Sequence, residues 1–187
     1  MYIGVLGLQG NVSEHADMLQ RITKDVKVVK KASDIKDLKG LIIPGGESTT
    51  IFPLLKKYKI DREIEKTNLP IFGTCAGAVL LAKEILNMDQ DTLNLMDTSV
   101  ERNAYGTQVD SFETDLKIPA VGKKPFRGVF IRAPIIKRVG EGVEVLAECD
   151  GDPVLARQGK FLAATFHPEL TDDVRVHEYF LNLLEKK

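Results

Sequence analysis

The stretch Pro70-Ile-Phe-Gly-Thr-Cys-Ala-Gly77 decides the fold, because it joins an apolar run to a helix through a turn framed by glycines. Pro70-Ile71-Phe72 is typical of a short buried strand, and the apolar segment Ala76–Leu86 predicts a helix. A buried strand that passes at once into a helix is the repeating unit of a parallel sheet. We therefore expect other segments of the chain to show the same order.

Two earlier segments do show it. Tyr2–Leu8 is a nearly continuous apolar run that ends in Gln9-Gly10-Asn11, and apolar residues then recur at helical spacing up to about Lys24. Asn11 or Ser13 is placed to cap that helix. Val26–Val29 predicts the next strand.

The second of these earlier units begins with the apolar run Leu38–Ile43, which Pro44-Gly45-Gly46 interrupts before helical spacing resumes over Ile51–Tyr58. Three strand-to-helix units in succession predict a parallel sheet with helices on both faces. We predict an α/β fold over residues 1–187: one domain, a flavodoxin-like three-layer sandwich with a mostly parallel central sheet.

The second half of the chain has a different pattern, polar and irregular from about Asn87. Gly159-Lys160 is a plausible hairpin turn, and Asp172–Leu184 predicts a closing amphipathic helix. This half is therefore expected to add some antiparallel strands. Short runs typical of strands lie at Gln108–Phe112, Gly128–Ile131, Val143–Glu148 and Pro153–Arg157.

Composition excludes several classes of function. The 187 residues include 26 Lys and Arg against 27 Asp and Glu, a net charge of -1 that offers no general attraction to nucleic acid. The apolar runs are shorter than the ~20 residues of a membrane-spanning helix. Only two cysteines occur and the N-terminus does not resemble a signal peptide, so we expect a cytoplasmic protein that binds neither nucleic acid nor membrane.

Cys75 is the strongest candidate for a reactive residue. Glycines stand two positions before and after it, between a strand and a helix, which is the pattern of a nucleophile elbow. The following helix N-terminus favours the thiolate through its dipole and free N–H groups. The alternative is a small core cysteine in a glycine turn. Cys149 has no such frame and is expected to be structural.

A thiol nucleophile needs a base, and His167 has the best position because it follows the strand-like run Phe161–Phe166. Glu169 lies two residues further on, where in extended backbone it would orient the imidazole, and Pro168 is expected to prevent a helix there. The alternative is a simple strand-terminating turn. His15 and His177 fall in predicted helices and are expected to be exposed to solvent, with His177 as the substitute base.

Acyl transfer also needs donors for an oxyanion. Pro44-Gly45-Gly46-Glu47-Ser48 follows a predicted strand, and its N–H groups are placed to point towards that oxygen. We assign Gly45, Gly46 and Ala76 to this role. The alternative for the glycine pair is an ordinary turn that caps a helix.

Together, Gly-Thr-Cys75-Ala-Gly, His167-Pro-Glu169 and Pro44–Ser48 resemble the triad-type class I glutamine amidotransferases. The resemblance covers essentially the whole chain and implies one glutamine amidotransferase domain. More narrowly, the chain resembles the glutaminase subunits of pyridoxal 5'-phosphate synthase. That likeness rests on Gly7–Asn11 with Glu14-His15, Pro44–Thr50, Arg102–Gly106 and Ser111–Glu113.

The resemblance implies a reaction and a partner. Cys75, His167 and Glu169 would hydrolyse L-glutamine through a glutamyl thioester, and the ammonia would pass to a (β/α)8-barrel synthase subunit that makes pyridoxal 5'-phosphate, vitamin B6. Neither a cofactor nor a metal is expected. By position, the residues implied to bind glutamine are Gly46, Glu47, Ser48, Arg102, Ile131 and Arg132.

Three alternatives remain at this point. Arg102 and Arg132 would be ordinary surface ion-pair residues without the resemblance. The glutaminase would serve another pathway, such as imidazole glycerol phosphate synthesis, although the Gly-Leu-Gln-Gly and Arg-Asn-Ala-Tyr-Gly runs argue against this. Finally, the chain would be a non-catalytic binding subunit that retains the fold.

Overall fold

The computed structural model describes residues 1–104 and 111–185. The strands are β1 (Tyr2–Leu6), β2 (Val26–Val29), β3 (Leu38–Ile43), β4 (Ile71–Thr74), β5 (Ala82–Ile85), β6 (Met96–Glu101), β7 (Ser111–Leu116), β8 (Phe126–Ile131), β9 (Ile135–Val139), β10 (Glu144–Cys149), β11 (Asp152–Gln158) and β12 (Phe161–Ala164). The α-helices are α1 (Val12–Gln20), α2 (Ser48–Lys57), α3 (Ile60–Thr67), α4 (Ala76–Leu81) and α5 (Arg175–Glu185). Short 3-10 helices span Ala32–Asp37, Pro119–Val121 and Pro168–Leu170.

Seven strands form the central sheet, in the order β10-β11-β12-β4-β3-β1-β2. The five strands from β12 to β2 pair in parallel, whereas β11 is antiparallel to both of its neighbours. From β2 to β12 the sheet therefore has the flavodoxin-like order 2-1-3-4-5 with a short antiparallel extension. The predicted α/β class and mostly parallel sheet are confirmed.

The core lies on both faces of this sheet, because successive side chains of a strand point in opposite directions. In β3, Leu41 and Ile43 join one buried cluster and Ile42 joins the other. The first cluster includes residues of α2, α3 and α4 and of the small sheet β5-β6-β9. The second includes residues of α1, α5 and the β7-β8 pair. The result is the predicted arrangement of three layers.

The segment predicted as one helix, Ala76–Leu86, divides into two elements. Helix α4 ends at Leu81, Ala82 has extended backbone (φ -63°, ψ 155°), and β5 follows directly. Strand β5 pairs with β6, so the ladder takes up backbone groups that a longer helix would have bonded internally. The apolar run Ala76–Leu86 did not indicate the pairing with β6, because a buried helix and a buried strand have the same apolar composition.

Other boundaries also differ from expectation. The closing helix begins at Arg175 rather than Asp172, and α3, β6 and β9 were not predicted. The run predicted at Gln108–Phe112 lies partly outside the described residues, and β7 begins at Ser111. The Gly159-Lys160 hairpin is confirmed: Gln158 pairs with Phe161, and Gly159 has the positive φ (58°) that suits glycine in such a turn.

No helix within residues 1–104 and 111–185 has both the length and the apolar character needed to cross a membrane.

Candidate active site

Cys75 lies between β4 and α4 in a strained backbone conformation, with φ 48° and ψ -105°. A hydrogen bond from its N–H to the carbonyl of Ala164 (2.8 Å) holds the turn against β12. The flanking glycines let the strand and helix approach closely, since a Cβ at Gly77 would lie 2.0 Å from the Ile43 carbonyl oxygen. Such strain is typical of a nucleophile elbow. The thiol-bearing residue itself is only 8% exposed.

His167 lies beside this turn because β12 and β4 are parallel neighbours in the sheet. The backbone N–H of His167 donates to the carbonyl of Val129 (2.8 Å), and the ring nitrogen Nδ1 lies 2.7 Å from Glu169 Oε1. The expected contact between the two side chains is therefore present. The expected extended backbone is wrong: Pro168–Leu170 forms a 3-10 helix with proline in its first position, where a missing N–H costs nothing.

Gly45 packs against both the imidazole of His167 and the side chain of Cys75. A Cβ at this position would lie 2.4 Å from His167 Cε1 and 3.3 Å from Cys75 Cβ. The backbone of the glycine loop therefore packs against both side chains. This contact limits where the imidazole can lie relative to the sulfur.

The electrostatic environment favours a charged His167–Glu169 pair. Burial by itself lowers the pKa of His167, but hydrogen bonds with Cys75 and Glu169 and their negative charge raise it to about 10. Burial by itself raises the pKa of Glu169, but the imidazoles of His15 and His167 and the amide of Asn11 lower it to about 2. An ionised Glu169 therefore supports a protonated imidazole next to the thiol.

Asn11 contributes to this pair although the sequence predicted a helix cap for it. It occupies the N-cap position of α1, but its side chain makes no capping hydrogen bond. Instead its Nδ2 donates to Glu169 Oε1 at 3.0 Å, and also lies 3.4 Å from His167 Nδ1. The amide thus helps to hold the carboxylate that orients the imidazole.

The expectation that His15 and His177 are exposed is wrong. Both side chains are fully buried, and His15 Nδ1 lies 2.9 Å from His177 Nε2. The polar neighbours in sequence suggested solvent, but α1 and α5 both pack on the sheet and turn these residues inward. Nor can His177 serve as the substitute base, because it is fully buried against His15 and does not line the cavity at which the thiol lies.

A cavity of about 270 Å³ opens in front of the thiol and the imidazole. Its size and its mixed polar and apolar walls suit a small polar molecule. The side chains of Glu47, Arg102 and Arg132 form its charged part: Arg132 Nη2 lies 2.8 Å and Arg102 Nη2 lies 3.5 Å from the Glu47 carboxylate. Its lining residues are Gln9, Asn11, Gly45, Gly46, Glu47, Ser48, Cys75, Ala76, Val79, Arg102, Asn103, Ile131, Arg132, Pro134 and His167.

The remaining predicted residues also lie at this cavity. The Ser48 hydroxyl is buried and donates to Gln90 Oε1 at 3.1 Å, and the Ile131 carbonyl lies 3.9 Å from Cys75 Sγ. Among the three predicted oxyanion donors, the Gly45 N–H already donates to Thr74 Oγ1 at 3.1 Å. The Ala76 N–H is in the first turn of α4 and has no acceptor within the helix.

The sequence matches a known family. The family model described as the SNO glutamine amidotransferase family matches residues 5–186. The chain belongs to the SNO glutamine amidotransferase family.

Relatives of this SNO family member have closely similar sequences. A protein of Thermotoga neapolitana named pyridoxal 5'-phosphate synthase subunit PdxT is 54% identical over 188 residues, which cover 99% of this chain and 100% of the relative. A protein of Thermus thermophilus with the same name is also 54% identical, covering 97% of this chain and 96% of the relative.

Solved structures agree with the fold. The crystal structure of a glutamine amidotransferase has a TM-score of 0.93 at 52% identity and covers 98% of this chain and 99% of its own. The structure of PurLQS from Thermotoga maritima has a TM-score of 0.70 at 18% identity, with 98% of each chain covered. This second likeness concerns the fold alone.

In this SNO family member the structure brings all the predicted site residues together around one cavity, except Glu169, which lies behind His167.

Cys149 ends the edge strand β10, where burial and the carboxylates of Asp150 and Asp152 raise the pKa of its thiol. Tyr105 and Gly106 of the quoted Arg-Asn-Ala-Tyr-Gly run lie outside the described residues. Within residues 1–104 and 111–185, no group of His, Cys, Asp and Glu side chains is arranged to hold a metal ion.

Sequence reasoning did not find the second set of residues around Glu169, namely Asn11, His15, Thr74 and His177. These residues are far apart in the chain and come from α1, the end of β4 and α5. Asn11 and His15 do stand in the runs that carry the resemblance, but no local pattern indicated their contacts with Glu169, and a histidine on a predicted amphipathic helix is more often exposed.

Proposed function

We propose that this chain is a glutaminase that hydrolyses L-glutamine to glutamate and ammonia and passes the ammonia to a pyridoxal 5'-phosphate synthase subunit. One observation carries the proposal. A cysteine on a strained elbow and a buried His167–Glu169 pair share one small cavity with an acidic residue and two arginines. The names of the relatives support the pathway.

Glutamine carries an α-carboxylate and an α-ammonium group, and the charged part of the cavity offers partners for both. In the proposal, Arg102 or Arg132 binds the carboxylate and Glu47 accepts from the ammonium group. Their present ion pairs are partly exposed to solvent and so contribute little to stability. Substrate can therefore replace these pairs at little cost. Gly46, Ser48 and Ile131 line the same cavity.

The first chemical step is acyl transfer to sulfur. His167 takes the thiol proton and becomes the imidazolium that Glu169 supports, and Cys75 Sγ attacks the side-chain amide carbon of glutamine as the thiolate. His167 then donates that proton to the amide nitrogen, the C–N bond breaks, and ammonia leaves behind a glutamyl thioester. Glu169 stabilises the imidazolium and fixes the ring, because its Oε1 lies 2.7 Å from Nδ1. Positioned donors typically lower such barriers by about 3 to 4 kcal/mol each.

The second step releases glutamate. A water molecule gives a proton to His167 and attacks the thioester carbon, the C–S bond breaks, and the thiolate regains the proton. In both steps the amide oxygen becomes an oxyanion. We assign Gly46 and Ala76 as its N–H donors, whereas Gly45 can join them only if its bond to Thr74 breaks.

The proposal takes residues 1–187 as one glutamine amidotransferase domain that works with a separate polypeptide, which the relatives' name of synthase subunit supports. As that partner we propose a (β/α)8-barrel synthase subunit, in a heteromeric complex that channels ammonia into vitamin B6. A cytoplasmic location fits the two free cysteines, because a nucleophilic thiol must remain reduced. No cofactor or metal has a part in these steps.

Glutamate and ammonia release from L-glutamine tests the proposal, measured with the purified chain alone and with a pyridoxal 5'-phosphate synthase barrel subunit. We expect a rate that the partner increases and that Cys75→Ala abolishes. Cys149→Ala is the matched control and should keep the wild-type rate. A rate that ignores the partner would overturn the pathway, and the absence of Cys75-dependent release in both samples would overturn the enzymatic function.

A further inference from the structure

Two buried histidines lie behind the triad, and the proposed reaction uses neither. His15 from α1 and His177 from α5 meet with Nδ1 and Nε2 2.9 Å apart. The ring of Phe72 lies against both, with centroid distances of 6.4 Å to His15 and 5.8 Å to His177. Burying two imidazoles against an aromatic ring is costly unless their polar atoms are used.

The pair reaches the triad through His15 Nε2. This atom lies 3.0 Å from Thr74 Oγ1 and 3.4 Å from Glu169 Oε2. The other carboxylate oxygen, Oε1, accepts from His167 and Asn11. Oε2 is buried and has no hydrogen bond of ordinary geometry from residues 1–104 and 111–185. The Nε2–H of His15 is therefore the donor placed to bind Glu169 Oε2.

The contacts favour one arrangement of protons. If His177 Nε2–H donates to His15 Nδ1, then His15 Nε2–H points towards Thr74 Oγ1 and Glu169 Oε2. The buried Nδ1 of His177 is then an acceptor without a partner among the described residues. In the opposite arrangement, His15 Nδ1–H donates to His177 Nε2. The buried Nδ1–H of His177 then has no acceptor among the described residues, and the lone pair of His15 Nε2 lies near the Glu169 carboxylate. An unpaired buried donor is the rarer and costlier defect.

The geometry points to His15 as a positioning residue that holds the second oxygen of Glu169, with His177 fixing the tautomer of His15. Through Glu169 the pair sets the orientation of His167 towards Cys75. This inference rests on the proposed glutaminase function and adds a role for two residues outside the cavity.

The electrostatics agree with this role. Burial lowers the pKa of both histidines, that of His177 to about 3, so both are neutral near pH 7. A neutral donor steadies the carboxylate without cancelling the charge that supports a protonated His167. The other titratable groups that act on the pair are Glu14, Glu169 and His167.

Two substitutions of His15 separate this role from packing. A glutamine side chain places its amide nitrogen near the position of Nε2, and an asparagine places it near Nδ1. His15→Gln therefore keeps a donor for Glu169, and His15→Asn loses it. With the synthase subunit present, we expect His15→Asn to lower kcat for glutamine about tenfold with little change in KM, and His15→Gln to keep most of kcat.

A second readout does not depend on glutamine hydrolysis. The pKa of His167, followed by NMR of labelled imidazole rings, should be lower in His15→Asn than in His15→Gln, because the first variant holds Glu169 less firmly. In a Cys149→Ser background, iodoacetamide should alkylate Cys75 more slowly in His15→Asn than in His15→Gln. If the wild-type chain releases no ammonia, the glutaminase proposal fails while these two measurements still decide the positioning role.

Equal effects of His15→Asn and His15→Gln on kcat and on the His167 pKa would overturn the inference, and so would losses of kcat that follow only the melting temperature.

If His15→Asn does not fold, substitutions of His177 take its place. His177→Gln keeps a donor to His15, and His177→Phe keeps a ring without one. We expect His177→Phe alone to lower kcat and the His167 pKa, and the same result from both variants would overturn the role of the pair.

Discussion

At the scale of single residues, Gly45 shows how closely the site depends on the backbone. Gly45→Ala would place a methyl group 2.4 Å from His167 Cε1 and 3.0 Å from Nδ1. The imidazole must then move away from the thiol or from Glu169. Because this orientation is needed only for chemistry, we expect kcat for glutamine to fall at least about tenfold. Steady-state kinetics of the complex with the synthase subunit measures this.

Gly159→Ala is the matched control for this substitution. Gly159 has φ 58° and nothing within 4 Å of the added Cβ, so alanine there introduces backbone strain without a clash. A loss of about 1 kcal/mol in the free energy of unfolding with unchanged kcat is expected. If both variants lost activity equally, the position of the imidazole would not be the cause.

The buried histidines also predict how stability depends on pH. The pKa of His177 falls from 6.5 to about 3 on folding, and that of His15 also falls. Below the unfolded value the unfolded chain binds protons that the folded chain excludes, so acid favours unfolding. For one such group the free energy of unfolding decreases by about 1.4 kcal/mol per pH unit as the pH falls towards the folded value.

The window from pH 6.5 to pH 4.5 isolates this effect. Glu169, whose pKa falls from 4.5 to about 2 on folding, loses its contribution only below that window. Urea denaturation of wild type and His177→Gln should show that the variant loses stability less steeply between these values. Parallel curves would mean that His177 is not held neutral in the folded chain.

How far the sequence predicts single residues depends on where their signal lies. Cys75 and His167 carry local signals, a glycine frame and the end of a strand, and the structure places both at one cavity. Asn11 and His15 have no such signal, because their contacts with Glu169 span 158 and 154 positions of the chain. Long-range pairing of this kind depends on how α1 packs, which a local pattern does not contain.

At the scale of elements, the contact of α4 with β3 sets the position of the elbow. A Cβ at Gly77 would lie 2.0 Å from the Ile43 carbonyl oxygen, and backbone cannot give way as a flexible side chain can. Gly77→Ala should therefore push α4 from the sheet and move Cys75. We expect a loss of about 1 to 3 kcal/mol in the free energy of unfolding and a fall in glutaminase activity.

Gly140→Ala is the control for this contact. The three atoms nearest to its added methyl belong to the carboxylate of Asp97, which can rotate away and give up exposed ion pairs with Arg138 and Lys83. Such pairs are worth about 0 to 1 kcal/mol. Equal destabilisation of the two variants would show that the contact between α4 and β3 has no special cost.

Elements with a repeated local pattern were predictable, and those that depend on a distant partner were not. Strands β1 to β4 each precede a turn or helix signal and appear where expected. Strands β5, β6 and β9 form a small sheet in which β6 pairs with a strand more than 30 positions away. The sequence predicted a helix where β5 lies and an irregular segment where β6 and β9 lie, because the strand pairing itself supplies the order.

At the scale of the whole molecule, the site is built from both halves of the chain. The elbow and the glycine loop come from the first half, and His167, Ile131 and Arg132 come from the second. The parallel pairing of β12 with β4 joins them. Any ligand that fills the cavity therefore holds the two halves together and should stabilise the fold.

Ligand binding without turnover tests this directly. Cys75→Ala removes the nucleophile, so L-glutamine binds and is not consumed. At about 100 times Kd, binding adds about 2.7 kcal/mol to the free energy of unfolding, which corresponds to a rise of about 5 °C or more in Tm. Thermal unfolding of Cys75→Ala with increasing L-glutamine measures it.

Specificity follows from the length of the ligand, whose amide and amino-acid group must both reach their partners in the cavity. L-asparagine is one methylene shorter, so it cannot engage Glu47 and Arg102 while its amide reaches the alanine at position 75. It should raise Tm much less than L-glutamine. Adding Glu47→Gln or Arg102→Ala to Cys75→Ala should remove most of the rise with glutamine, because each substitution takes away a charged partner of the amino-acid group. Equal stabilisation by both amino acids, or a rise that survives both substitutions, would place glutamine elsewhere on the molecule.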